Sequence, residues 1–351
     1  MTLRSTRVLS LVAAGMLVAV ACGGGGGGTP ASSQPAAATG TSQPTGVAAI
    51  NPTRPVEFVI STAPGGGSDI YARFMQGVIE KQRLSPQPVQ PVNKEGASGA
   101  VAFTYVFEKR GDMHYIMITL NSFFTTIITQ KLPYKATDFT PIANLALDPF
   151  FLWVNEDSPW KTAPDFVKAA QDKSIVVAGT GSKQEDEALF RRIQSTANTK
   201  PFTFVPQTSG ATVAAALAGH QGGVDATVNN PSEGIGLYQA TPRKLRPLCA
   251  FTPDSPAAGA YKGLATCKSQ GLDITDYYIM RAVMAPPSLS AGQQKFWVDV
   301  FKGVFDSADW KKFMDDNALD PKFLSGADFT KFIADYQKLH EDIAAKNNWV
   351  Q

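Results

Sequence analysis

The stretch Val56-Glu57-Phe58-Val59-Ile60-Ser61-Thr62-Ala63-Pro64-Gly65-Gly66-Gly67-Ser68-Asp69-Ile70-Tyr71-Ala72-Arg73 decides the reading of this chain. An apolar strand, expected over Val56–Ser61, enters a turn of three glycines and leaves it as a helix, expected over Asp69–Lys81. Glycine there permits positive φ and removes the Cβ that would block a ligand. Ser68 or Asp69 can cap the helix, and Ile70, Tyr71, Phe74, Met75 and Val78 follow at helical spacing. The junction leaves first-turn N–H groups without intrahelical acceptors at the positive end of a helix dipole. Such a place binds anions.

Working outward, strand-like and helix-like segments alternate. Strands are expected at Tyr115–Thr119, Phe150–Val154, Ser174–Ala178, Thr203–Val205, Val224–Val228, Lys244–Phe251 and Tyr277–Ala285. Helices are expected at Ala100–Glu108, Ser122–Thr129, Ala163–Gln171, Gln184–Thr196, Gly210–Ala218, Pro231–Gln239, Ala291–Phe305 and Asp328–Lys346. That alternation predicts an α/β fold with parallel sheets covered by helices. Two further strand–polar-turn–helix junctions stand out, at Gly179-Thr180-Gly181-Ser182 and at Thr208-Ser209-Gly210. Ligands of open α/β sheets sit at the carboxyl ends of strands, so three such turns can converge on one oxyanion.

The ends say where the protein works. Arg4 and Arg7 precede an apolar run over Val8–Val20, too short to span a bilayer, and Ala19-Val20-Ala21-Cys22 follows. Residues 1–21 therefore read as a lipoprotein signal peptide, with Cys22 as the lipidated first residue. Plain cleavage after Ala21 is the alternative. Residues 22–53, with six consecutive glycines and then mostly Ser, Pro, Ala, Thr, Gln and Gly, read as a flexible tether. Of 32 basic and 30 acidic residues, the two arginines of the leader are removed, leaving 30 against 30. A neutral mature chain offers no electrostatic ground for nucleic acid as a partner. Besides Cys22 only Cys249 and Cys267 remain, expected as a disulfide in an exported protein, with two buried thiols as the alternative.

Catalytic signatures are missing from the sequence: no G-x-S-x-G, no Walker A, no H-E-x-x-H and no C-x-x-C. His114, His220 and His340 have no metal-like spacing, so neither catalytic nor metal residues nor a cofactor are expected. The acids Glu185, Asp186 and Glu187, beside Lys183, read first as a solvated helix start that complements the dipole. The second reading brings one of the cluster, Lys183 foremost, to a ligand. Arg281 stands inside an apolar strand and needs a carboxylate partner, from the protein or from a ligand.

At Pro64-Gly65-Gly66-Gly67-Ser68-Asp69, with Ala72-Arg73 behind it, the chain resembles the solute-binding proteins of the tripartite tricarboxylate transporter family, the Bug or TctC-like proteins. Asn93-Lys94-Glu95-Gly96-Ala97-Ser98-Gly99-Ala100, Asp138-Phe139-Thr140-Pro141-Ile142-Ala143, Gly219-His220-Gln221-Gly222-Gly223-Val224-Asp225, Lys244-Leu245-Arg246-Pro247-Leu248 and Ala285-Pro286-Pro287 match in the family's order. The resemblance implies a two-lobed periplasmic-binding-protein-like fold (type II, Venus flytrap), each lobe a mostly parallel sheet flanked by helices. Lobe 1 would comprise 54–150 plus 278–351, and lobe 2 would comprise 151–277. It implies ligand contacts at Pro64, Gly65, Gly66, Gly67, Ser68, Asp69, Ser98, Thr180, Gly181, Ser182 and Asp225, to which Arg281 is added on its own chemistry. The chain departs from the family pattern at Lys183-Gln184-Glu185-Asp186 and at Met280-Arg281. The expected protein is a monomeric, membrane-tethered extracytoplasmic receptor, not an enzyme. It would carry a small organic carboxylate to the permease subunits of a tripartite transporter. A secreted serine hydrolase using Ser68 or Ser182 with His114 or His220, and a ligand-sensing surface protein, are the other readings.

Overall fold

Strand β1 (Val56–Ile60) is apolar at every position but Glu57, because both its faces are covered. Val56, Phe58 and Ile60 enter one apolar layer and Val59 the opposite one. In a computed structural model, which describes residues 50–350 apart from Ala258 and Asp276, β1 lies between β2 (Val89–Asn93) and β3 (Tyr115–Thr119), parallel to both. β10 (Ile279–Ala285) runs antiparallel to β3, β4 (Thr140–Asp148) antiparallel to β10, and β11 (Asp320–Leu324) antiparallel to β4. The sheet order is β11-β4-β10-β3-β1-β2. Helices α1 (Gly67–Gln82), α8 (Ala291–Asp306) and α9 (Ala308–Asp316) pack on one face. Helices α2 (Ala100–Phe107), α3 (Ser122–Thr129) and α10 (Gly326–Lys346) cover the other.

The second sheet has the order β7-β6-β8-β5-β9. It comprises β5 (Phe151–Asn155), β6 (Val176–Thr180), β7 (Thr203–Gln207), β8 (Ala226–Asn229) and β9 (Leu245–Ala250). Helices α4 (Ala163–Asp172) and α5 (Glu185–Ala197) lie on one side, α6 (Gly210–Ala218) and α7 (Pro231–Tyr238) on the other. The chain crosses between sheets where β4 gives way to β5, and returns after β9 into β10.

Both sheets are mixed rather than mostly parallel. β6 pairs in parallel with β7 and β8, yet β5 is antiparallel to β8 and β9. The reason is the double crossing: β4 and β10 carry the chain in opposite senses between the lobes, so they pair antiparallel. Four elements were not expected: β2, β4, β11 and α9. β2 contains Pro91 and survives as an edge strand. β4 contains Pro141 and Asn144 and is held by pairing on both sides. The short α9 starts where the Ser307 hydroxyl accepts from the Trp310 N–H at 3.0 Å. Cys249 and Cys267 form a disulfide. The leader over 1–21, Cys22 and the tether up to residue 49 lie outside the described residues. Among the described residues no helix is long and apolar enough to cross a membrane.

Candidate functional site

The glycine turn is built by Asp69. Its carboxylate accepts from the Gly65 N–H at 3.0 Å, the Arg73 Nε at 2.9 Å and the Asn93 Nδ2 at 3.0 Å. Burial alone would raise the Asp69 carboxyl, but the Arg73, Gly65 and Asn93 hydrogen bonds hold it below its ordinary value. Asn93 also donates to the Thr62 carbonyl at 2.9 Å, tying the turn to the end of β2. Gly65 takes φ of 82°, where an L side chain is strained, and Gly66 caps α1. Asp69 is thereby a scaffold residue that aims the Gly67 and Ser68 amides into the space between the lobes.

From the other lobe, three helix starts face those amides. Thr180 ends β6 before α5, Ser209 and Gly210 open α6, and Asn230 and Glu233 stand at the start of α7. Gly67 N–H donates to Glu233 Oε1 at 2.9 Å, so a carboxylate of the protein itself sits on the first-turn amide of α1. A Cβ on Gly210 would overlap that carboxyl, so only glycine leaves room for Glu233 in this position. Tyr71 Oη lies 3.2 Å from Ser232 Oγ, and Gln184 Nε2 donates to the Ser98 carbonyl at 3.2 Å. These bonds cross the cleft and hold the lobes together. What remains inside is a cavity of about 20 Å³ lined by Thr62, Gly66, Gly67, Ser68, Thr180, Glu185, Asp186, Glu233 and Arg281 among others. That is room for about one water. Toward the surface a second cavity of about 360 Å³ shares Thr62, Leu120 and Thr180 with it and adds Ser98, Gly181 and Ser122.

Arg281 on β10 has a protein partner. Its Nε donates to Asp148 Oδ2 at 2.9 Å and its second nitrogen to the same oxygen at 2.5 Å, with both residues buried. Tyr71 Oη donates to that oxygen at 2.9 Å, and the guanidinium lies 4.4 Å from the Tyr71 ring centroid. Asp148 ends the strand that crosses between the lobes, so this pair fixes the crossing point. Arg281 still faces the cavity with part of its guanidinium.

The solvated reading of the α5 acids is corrected here. Gln184, Glu185, Asp186 and Glu187 are all buried, because the start of α5 points into the closed cleft rather than outward. Burial pushes the Glu185 carboxyl up to about 7. Burial, and then the neighbouring Glu185, push Asp186 well above the ordinary range, and burial also raises Glu233 against the pull of Arg281. Asp186 accepts from the Thr180 N–H at 2.6 Å. Lys183 is exposed and donates to the Trp349 carbonyl at 3.3 Å, away from the cavity.

Of the residues singled out in the sequence, Gly66, Gly67, Ser68, Thr180 and Arg281 line the inner cavity, and Ser98 and Gly181 line the outer one. Pro64 and Gly65 are exposed on the turn, and Ser182 is exposed beyond the rim. Asp225 precedes β8, and Asn230, just beyond the other end of that strand, lines the cavity; the structure does not bring Asp225 there. Glu233 and Asn230 are site residues that sequence reasoning did not place, while Glu185 and Asp186 entered it first as solvated acids and only second as part of a cluster reaching a ligand. His114 is bonded to Asp112 and His220 to Asp157, so no imidazole among the described residues lines the cavity beside Ser68. The hydrolase reading has no base there.

Residues 72–348 match the model of the tripartite tricarboxylate transporter family receptor, TctC. The chain belongs to this family. As a TctC receptor it is a solute-binding protein and not an enzyme. A UPF0065 protein of Cupriavidus necator is 23% identical over 84% of this chain and 88% of its own length. The match to protein BugT of Bordetella pertussis, 24% identical, spans 30% of this chain and 32% of that protein, and a UPF0065 protein from the same organism, 28% identical, matches over 34% of this chain and 38% of its own length. Among solved structures, a Rhodopseudomonas palustris protein solved with adipate has a TM-score of 0.75 at 21% identity, covering 84% of this chain and 97% of that one. MatC from the same genus and species, solved with bound malate, has 0.69 at 20% over 83% and 99%. The periplasmic binding protein BugD has 0.75 at 17% over 84% and 98%. At these identities the structures establish for this TctC receptor the two-lobed binding-protein fold.

Proposed function

We propose that this receptor captures a small organic carboxylate between its lobes, outside the cytoplasm, and delivers it to the membrane subunits of a tripartite transporter. Cys22 would carry the lipid anchor, and residues 22–53 would be the tether. The observation that carries the reading is the Glu233 carboxylate 2.9 Å from the Gly67 N–H: the start of α1 is a seat that takes a carboxylate. A solute carboxylate takes that seat when the lobes open, displacing Glu233, and accepts from the Gly67 and Ser68 amides and the Ser68 hydroxyl. Closure then brings Thr180 onto it, so binding energy shifts the open–closed balance toward the closed form. The relatives solved with malate and adipate agree in ligand class.

The lobes that move are 54–150 with 278–351, and 151–277, hinged at the Asp148–Arg281 pair. Calorimetric titration of the purified protein with small mono- and dicarboxylates, including hydroxy and amino acids, tests the reading. Binding in the micromolar range or tighter is expected, and binding confined to neutral sugars or simple amines overturns it. Globomycin-sensitive processing and labelling of Cys22 with a radioactive fatty acid test the anchor.

A further inference from the structure

The inner cavity is already crowded with carboxyl groups, and a simple carboxylate adds one more. Glu185, Asp186 and Glu233 line it, and among the described lining residues Arg281 is the only base. The charge of Arg281 is already matched by Asp148 through two hydrogen bonds. A carboxylate solute entering here therefore meets three carboxyl groups and no unmatched cation.

Two unpartnered groups point to what completes the site. Glu185 is 1% exposed and its Oε2 has no hydrogen-bond partner among the described residues. Ser68 is also 1% exposed and its Oγ is likewise without one. Buried polar atoms in folded proteins are almost always satisfied, and leaving a charged one bare is costly. The Ser68 hydroxyl can donate to a solute carboxylate seated on α1. Glu185 Oε2 needs a donor, as does the Glu233 carboxylate once a solute has displaced it from Gly67. Asp186 is already served by the Thr180 N–H.

We infer that the solute of this cleft carries a protonated nitrogen beside its carboxylate, the nitrogen seated against Glu185 and Glu233. An ammonium group supplies three donors and a positive charge, where a hydroxyl supplies one donor and none. The inference rests on the carboxylate reading above and narrows it from organic acids at large to small zwitterions.

The test uses sets of equal size and different charge: alanine, lactate, propionate and ethylamine, then aspartate, malate and succinate, each titrated calorimetrically into the purified protein. At least one amino acid is expected to bind about tenfold or more tightly than its hydroxy and unsubstituted counterparts, the scale of a hydrogen bond to a charged group. Glu185→Gln, which keeps the side chain's shape, is expected to erase that preference; circular dichroism and thermal unfolding confirm that the variant is folded. Propionate and succinate, or lactate and malate, binding as tightly as the amino acids overturns the nitrogen seat and leaves the carboxylate reading standing. Ethylamine binding as tightly as alanine overturns the carboxylate reading and leaves the nitrogen seat. A preference that survives Glu185→Gln unchanged, or no binding by any member at millimolar concentration, overturns the inference.

Discussion

Replacing Glu185 by glutamine should stabilise the ligand-free protein, and by an amount that depends on pH. The folded carboxyl titrates near 7 against an ordinary value of 4.5. Between those two values the native state keeps a proton that the unfolded chain has released. Stability therefore falls as pH rises through the window, and the full cost is present above about 7. At about 1.4 kcal/mol for each pH unit, the displacement from 4.5 to about 7 is worth roughly 3 kcal/mol. Glutamine matches the protonated carboxyl in shape and never ionises. Equilibrium denaturation should thus show the variant roughly 3 kcal/mol more stable than the parent at about pH 8.5, with almost no difference near pH 4.5. Opening of the cleft can relieve part of the cost by hydrating the carboxylate, and solution scattering would then show the parent expanding above neutral pH while the variant does not. A variant equal to or weaker than the parent at high pH, with no difference in scattering, refutes the reasoning, because it means that Glu185 is ionised without penalty.

Other expectations follow from the same geometry. Gly66→Val leaves an extended backbone that any residue adopts, but the new Cβ would stand 3.3 Å from the Ala63 carbonyl and the Thr62 hydroxyl within the turn and 3.5 Å from the Ser209 Cβ across the cleft. Overpacking of this kind costs about 1–3 kcal/mol, so ligand affinity should drop by roughly 10- to 100-fold as the turn is displaced; unchanged affinity removes the turn from the site. His340 is buried against Tyr277 and the Tyr336 carbonyl, and burial lowers it from 6.5 to about 4. In that window the unfolded chain takes up a proton that the native ring refuses, so stability is lost as pH falls, by up to about 3 kcal/mol. Glu185 has the opposite slope, so the loss should emerge clearly in Glu185→Gln and vanish again when His340→Gln is added. Replacing Cys249 and Cys267 together by alanine opens an 18-residue link and should cost about 3 kcal/mol in denaturant titration; a change well below 1 kcal/mol would contradict that view of the bond.

The first junction was legible because its chemistry is local. An apolar run, three glycines and a helical stripe specify β1, the turn and α1 wherever the rest of the chain goes. β4 was not legible: Pro141 and Asn144 weaken its intrinsic preference, and only its neighbours β10 and β11 make it a strand. The site divides in the same way. Gly66, Gly67 and Ser68 announce amides at a helix start, but acids in a first turn read alike whether water or another lobe covers them. That is why Glu185 and Asp186 were read as solvated, and why Glu233 on α7, 166 residues from the amide it meets, gave no signal at all. Arg281 showed the need for a carboxylate but not its source, which is Asp148, 133 residues earlier.

The most direct measurement is a crystal structure of the protein purified under native conditions together with whatever solute it retains. The account predicts a solute carboxylate within hydrogen-bond distance of the Gly67 and Ser68 amides, with Glu233 moved off Gly67. A solute bound elsewhere, with Glu233 still on the Gly67 N–H and residues 64–69 untouched, would contradict it.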